Sequence, residues 1–160
     1  MKHTILVALG EGGHTKEMLT LVDMLGDDHD YAYIVVADDP ISERKIRRPG
    51  PVYRVQRPRD KAHHLLRDAA KFARSAWQAW RILRQVRPAA VLSTGPSVAV
   101  PVCVLARLTR VRVIFVETGS RVTALSTTGR IMYRVAHLFF VQWPQLTAAY
   151  PRAIYAGRLF

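Results

Sequence analysis

The sequence predicts an α/β fold in which a parallel β-sheet carries helices on both faces. Short runs of β-branched and apolar residues alternate with segments of helical periodicity, which is typical of such a sheet. The chain has 160 residues, a length that suits one hydrophobic core. Hydrophobic residues make up 49% and charged residues 22%, as in globular proteins. We therefore expect a single domain spanning residues 1–160.

Seven apolar runs predict strands. The first run is too short for a signal peptide or a membrane span, and it leads into a glycine loop. The apolar region Pro88–Ala106 is interrupted by residues 93–97 and by Pro101, so it reads as strand, loop and helix. The predicted strands are Thr4–Leu9, Tyr31–Ala37, Pro51–Val55, Ala89–Ser93, Arg112–Val116, Leu138–Val141 and a weaker Ala153–Tyr155.

Five segments have the apolar spacing of a helix. The stretch Asp38–Arg59 is rich in Pro and Arg, and we expect it to be a loop with one short strand. The predicted helices are His14–Leu25, Lys61–Val86, Ser97–Leu108, Thr127–Ala136 and a short one within Trp143–Tyr150.

Four polar clusters fall where predicted strands end. In an open parallel sheet, ligands bind outside the carboxyl ends of the strands. We therefore expect these clusters to lie on one edge and to form a binding site. The clusters are Gly10–Thr15, Thr94–Ser97, Glu117–Arg121 and Gln142–Pro144.

The first cluster is a glycine loop between a strand and a helix. Gly10, Gly12 and Gly13 allow a ligand to approach the backbone, and the N–H groups of the next helix can then bind phosphate. Thr15 occupies the third glycine position of the dinucleotide fingerprint, which disfavours a nicotinamide- or flavin-dependent oxidoreductase. We expect His14 and Thr15 to cap the helix, and a tight turn without a ligand is the alternative.

His14 is a candidate general base, because imidazole titrates near neutral pH and can take the proton of an acceptor hydroxyl. Glu11 is the rival candidate for that role. A histidine at a helix start can equally be a phosphate ligand or a structural cap.

The second and third clusters supply further candidates. Gly95 permits close approach, and the hydroxyls of Thr94 and Ser97 are hydrogen-bond donors, although a plain connecting loop explains the pattern almost as well. Glu117 is the sole acid after residue 68. With Arg121 nearby, it predicts either a salt bridge or recognition of a sugar hydroxyl.

The positive charge is concentrated in residues 44–87. The chain has 24 Lys and Arg against 12 Asp and Glu, a net charge of +12, and 14 of those bases lie in this segment with only Asp60 and Asp68 opposing them. Such a segment attracts a polyanion, either a nucleic acid or an anionic membrane.

The predicted helix Lys61–Val86 is basic and amphipathic. Such a helix can lie in a membrane interface with its tryptophans at headgroup depth. The alternative is an ordinary crossover helix that buries its apolar stripe against the sheet. Nucleic-acid binding is disfavoured because no recognised basic-aromatic strand motif or helix-turn-helix pattern accompanies the charge. The candidate membrane contacts are Lys71, Arg74, Trp77, Trp80, Arg81 and Arg84.

Cys103 is the only cysteine, so the chain cannot form an internal disulfide or a metal site of paired thiolates. This usage fits a reducing, cytoplasmic setting. We expect no bound metal and no cofactor.

The chain resembles, over nearly its whole length, the membrane-anchoring subunit of split UDP-GlcNAc transferases (asparagine-linked-glycosylation protein fourteen). It is similar also to PssD-like bacterial exopolysaccharide subunits. The resemblance rests most strongly on Phe140–Leu146 and its continuation through Tyr150-Pro151 to Gly157. The other matching stretches are Gly12–Thr15 with Glu17-Met18, Ser93–Pro96, and Glu117 with Ser120–Val122.

The resemblance implies a Rossmann-like domain equivalent to the N-terminal half of a GT-B glycosyltransferase. Such a domain binds a polyprenyl-diphosphate-linked saccharide and recruits a separate donor-binding subunit that carries the UDP-sugar, so that the subunit alone is inactive. By the same implication Gly12, Gly13 and His14 face the acceptor diphosphate, and Thr94, Gly95, Glu117 and Arg121 line the interdomain cleft. We expect the diphosphate to bind at the helix start Gly12–Thr15, so that Thr15 also contributes to its site.

Eukaryotic members of that family carry an N-terminal membrane span that the sequence does not show. We therefore expect peripheral attachment to the inner face of the cell membrane through the basic segment, in bacterial polysaccharide assembly. A non-enzymatic module that binds nucleic acid or an anionic membrane through residues 44–87 is the alternative.

Overall fold

The computed structural model describes residues 2–58 and 65–159, and of residues 65–68 only the helical backbone. Seven strands form one sheet, in which each pair of neighbouring strands is parallel. The order across the sheet is β3-β2-β1-β4-β5-β6-β7. The strands are β1 (His3–Ala8), β2 (His29–Val36), β3 (Val52–Val55), β4 (Ala90–Ser93), β5 (Arg112–Val116), β6 (Leu138–Val141) and β7 (Ile154–Tyr155).

The strand order brings the four polar clusters together, because they follow β1, β4, β5 and β6, which are adjacent. Their carboxyl ends therefore share one edge of the sheet, as predicted.

Six helices connect the strands in the described part of the chain. The start predicted for the third helix, Lys61, lies outside the described residues, and the other predicted helices are found with ends shifted by at most two residues. The helices are α1 (Gly13–Leu25), α2 (Pro40–Arg44), α3 (Leu65–Val86), α4 (Ala99–Leu108), α5 (Thr127–Val135) and α6 (Gln145–Ala149).

The sheet is buried on both faces over its centre, as apolar strands of a parallel sheet require. Successive residues of a strand point to opposite faces. Leu6, Val91 and Phe115 belong to the core beneath α3, α4 and α5. Ile5 and Val7 belong to a second core, which α1 covers.

The short helix α2 was not predicted, because it lies within the Pro- and Arg-rich stretch expected to be a loop. Asp39 is its N-cap and accepts hydrogen bonds from the N–H groups of Ile41 and Ser42 at 3.1 and 3.2 Å. Pro40 occupies the first turn, where its fixed φ and missing N–H cost nothing. The Asp-Pro pair is therefore the local signal that could have predicted this helix.

Candidate functional site

The glycine loop after β1 packs closely against the loop after β4. A β-carbon at Gly10 would lie only 2.6 Å from Cβ of Pro96, so the approach of the two loops requires glycine there. Gly12 is the N-cap of α1 and has a φ of 59°, a conformation that glycine adopts without strain. No side chain caps this helix. The expectation that His14 and Thr15 cap it is therefore wrong.

His14 lies at the junction of these two loops. Its Cε1 atom would be 3.8 Å from a β-carbon at Gly95, which has a φ of 100°. The hydroxyl of Thr94 donates to the backbone carbonyl of His14 at 3.0 Å, so the Thr94 hydroxyl is turned into the fold and not towards a ligand. The Nδ1 atom of His14 is buried and has no hydrogen-bond partner among the described residues.

Thr15 faces the interior. Its side chain is fully buried, and its hydroxyl donates to the carbonyl oxygen of Gly10. Oγ of Ser42 lies 2.7 Å from Oγ1 of Thr15, and the Ser42 hydroxyl donates to the carboxylate of Asp39. The Thr15 hydroxyl therefore joins the glycine loop to α2, and only the backbone of Thr15 can contribute to a phosphate site.

Glu11, the rival candidate base, is held in an ion pair. The guanidinium of Arg57 contacts the carboxylate of Glu11 and lies 3.1 Å from that of Asp38. The hydrogen bond to Glu11 raises the pKa of Arg57, which keeps the guanidinium charged. The Glu11 carboxylate is therefore occupied by an arginine of the loop after β3.

Glu117 lies beneath the edge of the cleft and not on its surface. Its carboxylate accepts from the N–H and hydroxyl of Ser126, each at 3.1 Å to Oε2, and from the N–H of Thr118 at 3.1 Å to Oε1. Burial raises the pKa of Glu117, and these hydrogen bonds oppose the rise. Its partners are Ser126 and Thr118. The expected salt bridge to Arg121 is absent from the described ion pairs.

A second buried carboxylate supports the loop after β5. Oε1 of Glu17 accepts from the hydroxyl of Thr118 at 3.1 Å and from the N–H of Gly119 at 2.9 Å. This contact ties the loop to α1 and leaves Arg121 exposed to solvent at the rim. The sequence pointed to Glu17 only through the family resemblance, because its contacts lie about a hundred positions away along the chain.

The fourth cluster holds the same loop from the other side. Nε2 of Gln142 donates to the carbonyl of Glu117 at 3.2 Å, and Nε1 of Trp143 donates to that of Gly119 at 2.7 Å. Oε1 of Gln142 accepts from the N–H of Leu159 at 2.9 Å. Gln142 and Trp143 therefore support the site structurally and connect it to residues 156–159.

An apolar groove of about 390 Å³ lies on the sheet face that α1 covers only in part. Ile114, Leu138 and Phe140 form its floor, with Met24 of α1 on one side and residues 156–159 on the other. Leu138 is 41% exposed.

The apolar residues of α3 form two stripes, although one was predicted. Ala79, Ile82 and Leu83 are buried towards the core. A second stripe faces solvent and consists of Trp77, 54% exposed, and Trp80, 40% exposed.

Basic side chains accompany this exposed stripe. The guanidinium of Arg81 lies 4.8 Å from the ring centroid of Trp77, and that of Arg84 lies 5.2 Å from that of Trp80. Lys71 and Arg74 lie on the same helix.

The basic segment divides into two parts. Acids of the first 43 residues neutralise its beginning, through the pairs Arg47–Asp23, Arg48–Asp27 and Arg54–Glu43. Arg74, Arg81 and Arg84 belong to none of the ion pairs in the described ranges. Within the basic segment, α3 therefore carries arginines that no acid of the described residues pairs.

None of the helices in residues 2–58 and 65–159 combines the length and the apolarity needed to cross a bilayer.

Comparison with known families matches residues 5–159 to the model described as "Oligosaccharide biosynthesis protein Alg14 like". The chain belongs to the Alg14-like family. It is 33% identical over 178 residues to the human protein named UDP-N-acetylglucosamine transferase subunit ALG14, with 98% of this chain and 82% of the relative covered. The namesake of Schizosaccharomyces pombe is 31% identical over 179 residues, with 98% and 82% covered. The resemblance inferred from the sequence motifs is confirmed.

The Alg14-like fold is shared with larger enzymes. MurG of Acinetobacter baumannii superimposes with a TM-score of 0.77 at 21% identity, over 99% of this chain and 45% of that one. The chain thus spans under half of the MurG length. These likenesses confirm the predicted parallel Rossmann-like sheet, equivalent to the N-terminal half of a GT-B glycosyltransferase.

Gly129 tests the buried Glu117 contact. A β-carbon at Gly129 would overlap the Glu117 carboxylate, whereas one at Gly13 would have no atom within 4 Å. We expect Gly129→Ala to lower the free energy of unfolding by about 1–3 kcal/mol, because it displaces a buried, hydrogen-bonded carboxylate. Gly13→Ala is the matched control and should leave stability within about 0.5 kcal/mol or raise it. Denaturant unfolding measures both, and equal stability of the two variants would contradict the packing described.

Proposed function

We propose that this chain is the acceptor-side, membrane-associated subunit of a two-chain inverting glycosyltransferase. The enzyme would transfer a sugar from a UDP-sugar to a polyprenyl-diphosphate-linked saccharide, in polysaccharide or lipid-linked oligosaccharide synthesis. One observation carries the proposal: the glycine loop, His14 and the loop after β5 converge at one edge, in a family whose members are named UDP-N-acetylglucosamine transferase subunits.

The start of α1 is suited to the acceptor diphosphate. Its first turn has no acidic residue and no side-chain cap. The N–H groups after Gly12 and the helix dipole favour an anion there. Gly12 and Gly13 leave the approach open, since a β-carbon at either would meet no atom within 4 Å.

His14 would act as the general base. The oxygen of the attacking hydroxyl bonds to the anomeric carbon while the bond from that carbon to the nucleotide diphosphate breaks, and the electron pair of the broken bond leaves on the diphosphate. The proton of the hydroxyl passes to the imidazole in the same step. Attack opposite the leaving group inverts the anomeric centre. Arg121, exposed at the rim, supplies positive charge near the acceptor.

The donor-binding half would come from a second chain. The fold corresponds to 45% of the MurG chain, and the curated relatives are called subunits. The apolar groove over Ile114, Leu138 and Phe140 offers that chain a contact. Residues 156–159 line the groove and are bonded to Gln142, so the contact adjoins the cleft.

The exposed stripe of α3 would lie against the inner face of the cell membrane, which is anionic. Tryptophans at headgroup depth with arginines reaching lipid phosphates are the pattern of an interfacial helix. The absence of ion pairs at Arg74, Arg81 and Arg84 in the described residues leaves their charge available to lipid.

The purified chain alone should transfer no labelled GlcNAc from UDP-GlcNAc to a lipid-linked acceptor, whereas co-expression with a donor-binding chain should restore transfer. His14→Ala should lower turnover of the pair about a hundredfold, because it removes the base. Glu11→Ala is the comparison, and it should have a smaller effect because Glu11 is paired with Arg57. Robust turnover by the single chain would overturn the two-chain proposal, and near-normal turnover of the His14 variant would overturn the assignment of the base.

Flotation with liposomes tests the membrane contact. Arg81→Ala/Arg84→Ala should weaken binding to phosphatidylserine vesicles roughly thirtyfold, at about 1 kcal/mol per basic residue. Arg47→Ala/Arg54→Ala removes the same charge from arginines that pair with acids, and it should change binding little. Equal losses for the two pairs would contradict a contact through α3. Steeply salt-dependent binding to RNA without flotation would favour the nucleic-acid alternative.

A further inference from the structure

Glu17 is a buried carboxylate that the mechanism so far does not use. It lies on α1 and is only 7% exposed. Its Oε1 atom holds Thr118 and Gly119, but its Oε2 atom is buried without a hydrogen-bond partner among the described residues. A buried carboxylate oxygen without a donor is costly, so its retention calls for a partner.

His14 presents the complementary atom. Its Nδ1 is also buried and unpartnered in the described part of the chain. His14 and Glu17 are three positions apart in α1, a spacing that puts two side chains on the same face of a helix. Their surroundings are adjacent too, since Gly95 follows β4, Gly119 follows β5, and these strands are neighbours.

We infer that Glu17 is the positioning residue of His14. Oε2 of Glu17 accepts the Nδ1–H of His14. The bond selects the tautomer whose Nε2 carries a lone pair, and it orients that lone pair towards the acceptor hydroxyl. Carboxylates select the tautomer and the orientation of histidine bases in this way on unrelated folds.

The carboxylate also stabilises the transition state. The proton of the attacking hydroxyl passes to Nε2, and the imidazolium formed then carries its positive charge beside Glu17. Because Oε1 of Glu17 holds the loop after β5, the same side chain sets both the base and the wall of the cleft that faces it. This inference rests on the proposed role of His14 as the base.

Glu17→Gln is the discriminating variant. It keeps the size of the side chain and a carbonyl oxygen for Thr118 and Gly119, but it puts an NH₂ group where Oε2 would accept the Nδ1–H. Thr118→Val is the matched control, because it removes one hydrogen bond to Oε1 and leaves Oε2 intact. A merely structural role of Glu17 predicts similar behaviour of the two variants.

Nitrogen NMR of the single chain with labelled histidines determines the tautomer of His14, and it needs neither a partner chain nor a substrate. The spectra are recorded in weakly alkaline buffer, where a free imidazole is neutral, and His14→Ala identifies the signals. We expect His14 to carry its proton on Nδ1 in the natural chain and in Thr118→Val, and on Nε2 in Glu17→Gln. An Nε2–H tautomer in the natural chain, or no change in Glu17→Gln, would overturn the inference whatever the activity of the pair.

Kinetics of the reconstituted pair gives the second readout. Glu17→Gln should lower kcat at least about tenfold with KM nearly unchanged, because it disturbs the base and not acceptor binding. A rise in KM at constant kcat would assign Glu17 to binding and would overturn the positioning role. If Glu17→Gln removes the Nδ1–H tautomer of His14 but leaves kcat normal, His14 is not the base. That result would overturn the proposed function, and it would leave the contact between Glu17 and His14 in place.

Discussion

The Glu117 carboxylate lies under the end of β5 and accepts donors from two directions. Ser126, the N-cap of α5, donates its N–H and hydroxyl to the carboxylate. Thr118, in the loop after β5, donates its N–H. Desolvation raises the pKa of Glu117, so the ionised form depends on these donors. This one buried group therefore ties the start of α5 to the loop after β5, and Gln142 connects the end of β6 to the backbone carbonyl of the same residue.

The parallel sheet and the convergence of the strand-end clusters could be predicted from the sequence, because both depend on local periodicity and on the order of elements. The roles of individual residues could not, since they depend on contacts far apart in sequence. Glu117 was expected either to pair with Arg121 or to recognise a sugar hydroxyl, but it is buried and its donors come from Ser126 and Thr118. Thr15 was expected to face a ligand, but an inward bond to the Gly10 carbonyl is available at the start of α1.

The pairing of charges also depends on contacts far apart in sequence, and it could not be predicted either. Residues 44–87 are uniformly basic in sequence, but folding pairs Arg48 and Arg54 with acids from the first part of the chain. In the described residues, α3 keeps arginines that belong to no ion pair beside the exposed Trp77 and Trp80. The proposed function assigns these three surfaces to different ligands: α3 to an anionic membrane, the start of α1 to the acceptor diphosphate, and the apolar groove to a partner chain.

Amide chemical-shift mapping tests this division most directly. The isotope-labelled chain would be titrated with a short-chain polyprenyl-diphosphate saccharide. The account predicts that the largest shifts fall on Gly12, Gly13 and His14, with smaller ones on residues 119–121, because the diphosphate binds at the start of α1. Shifts confined to the apolar groove around Leu138 and Phe140, or to α3, would contradict it.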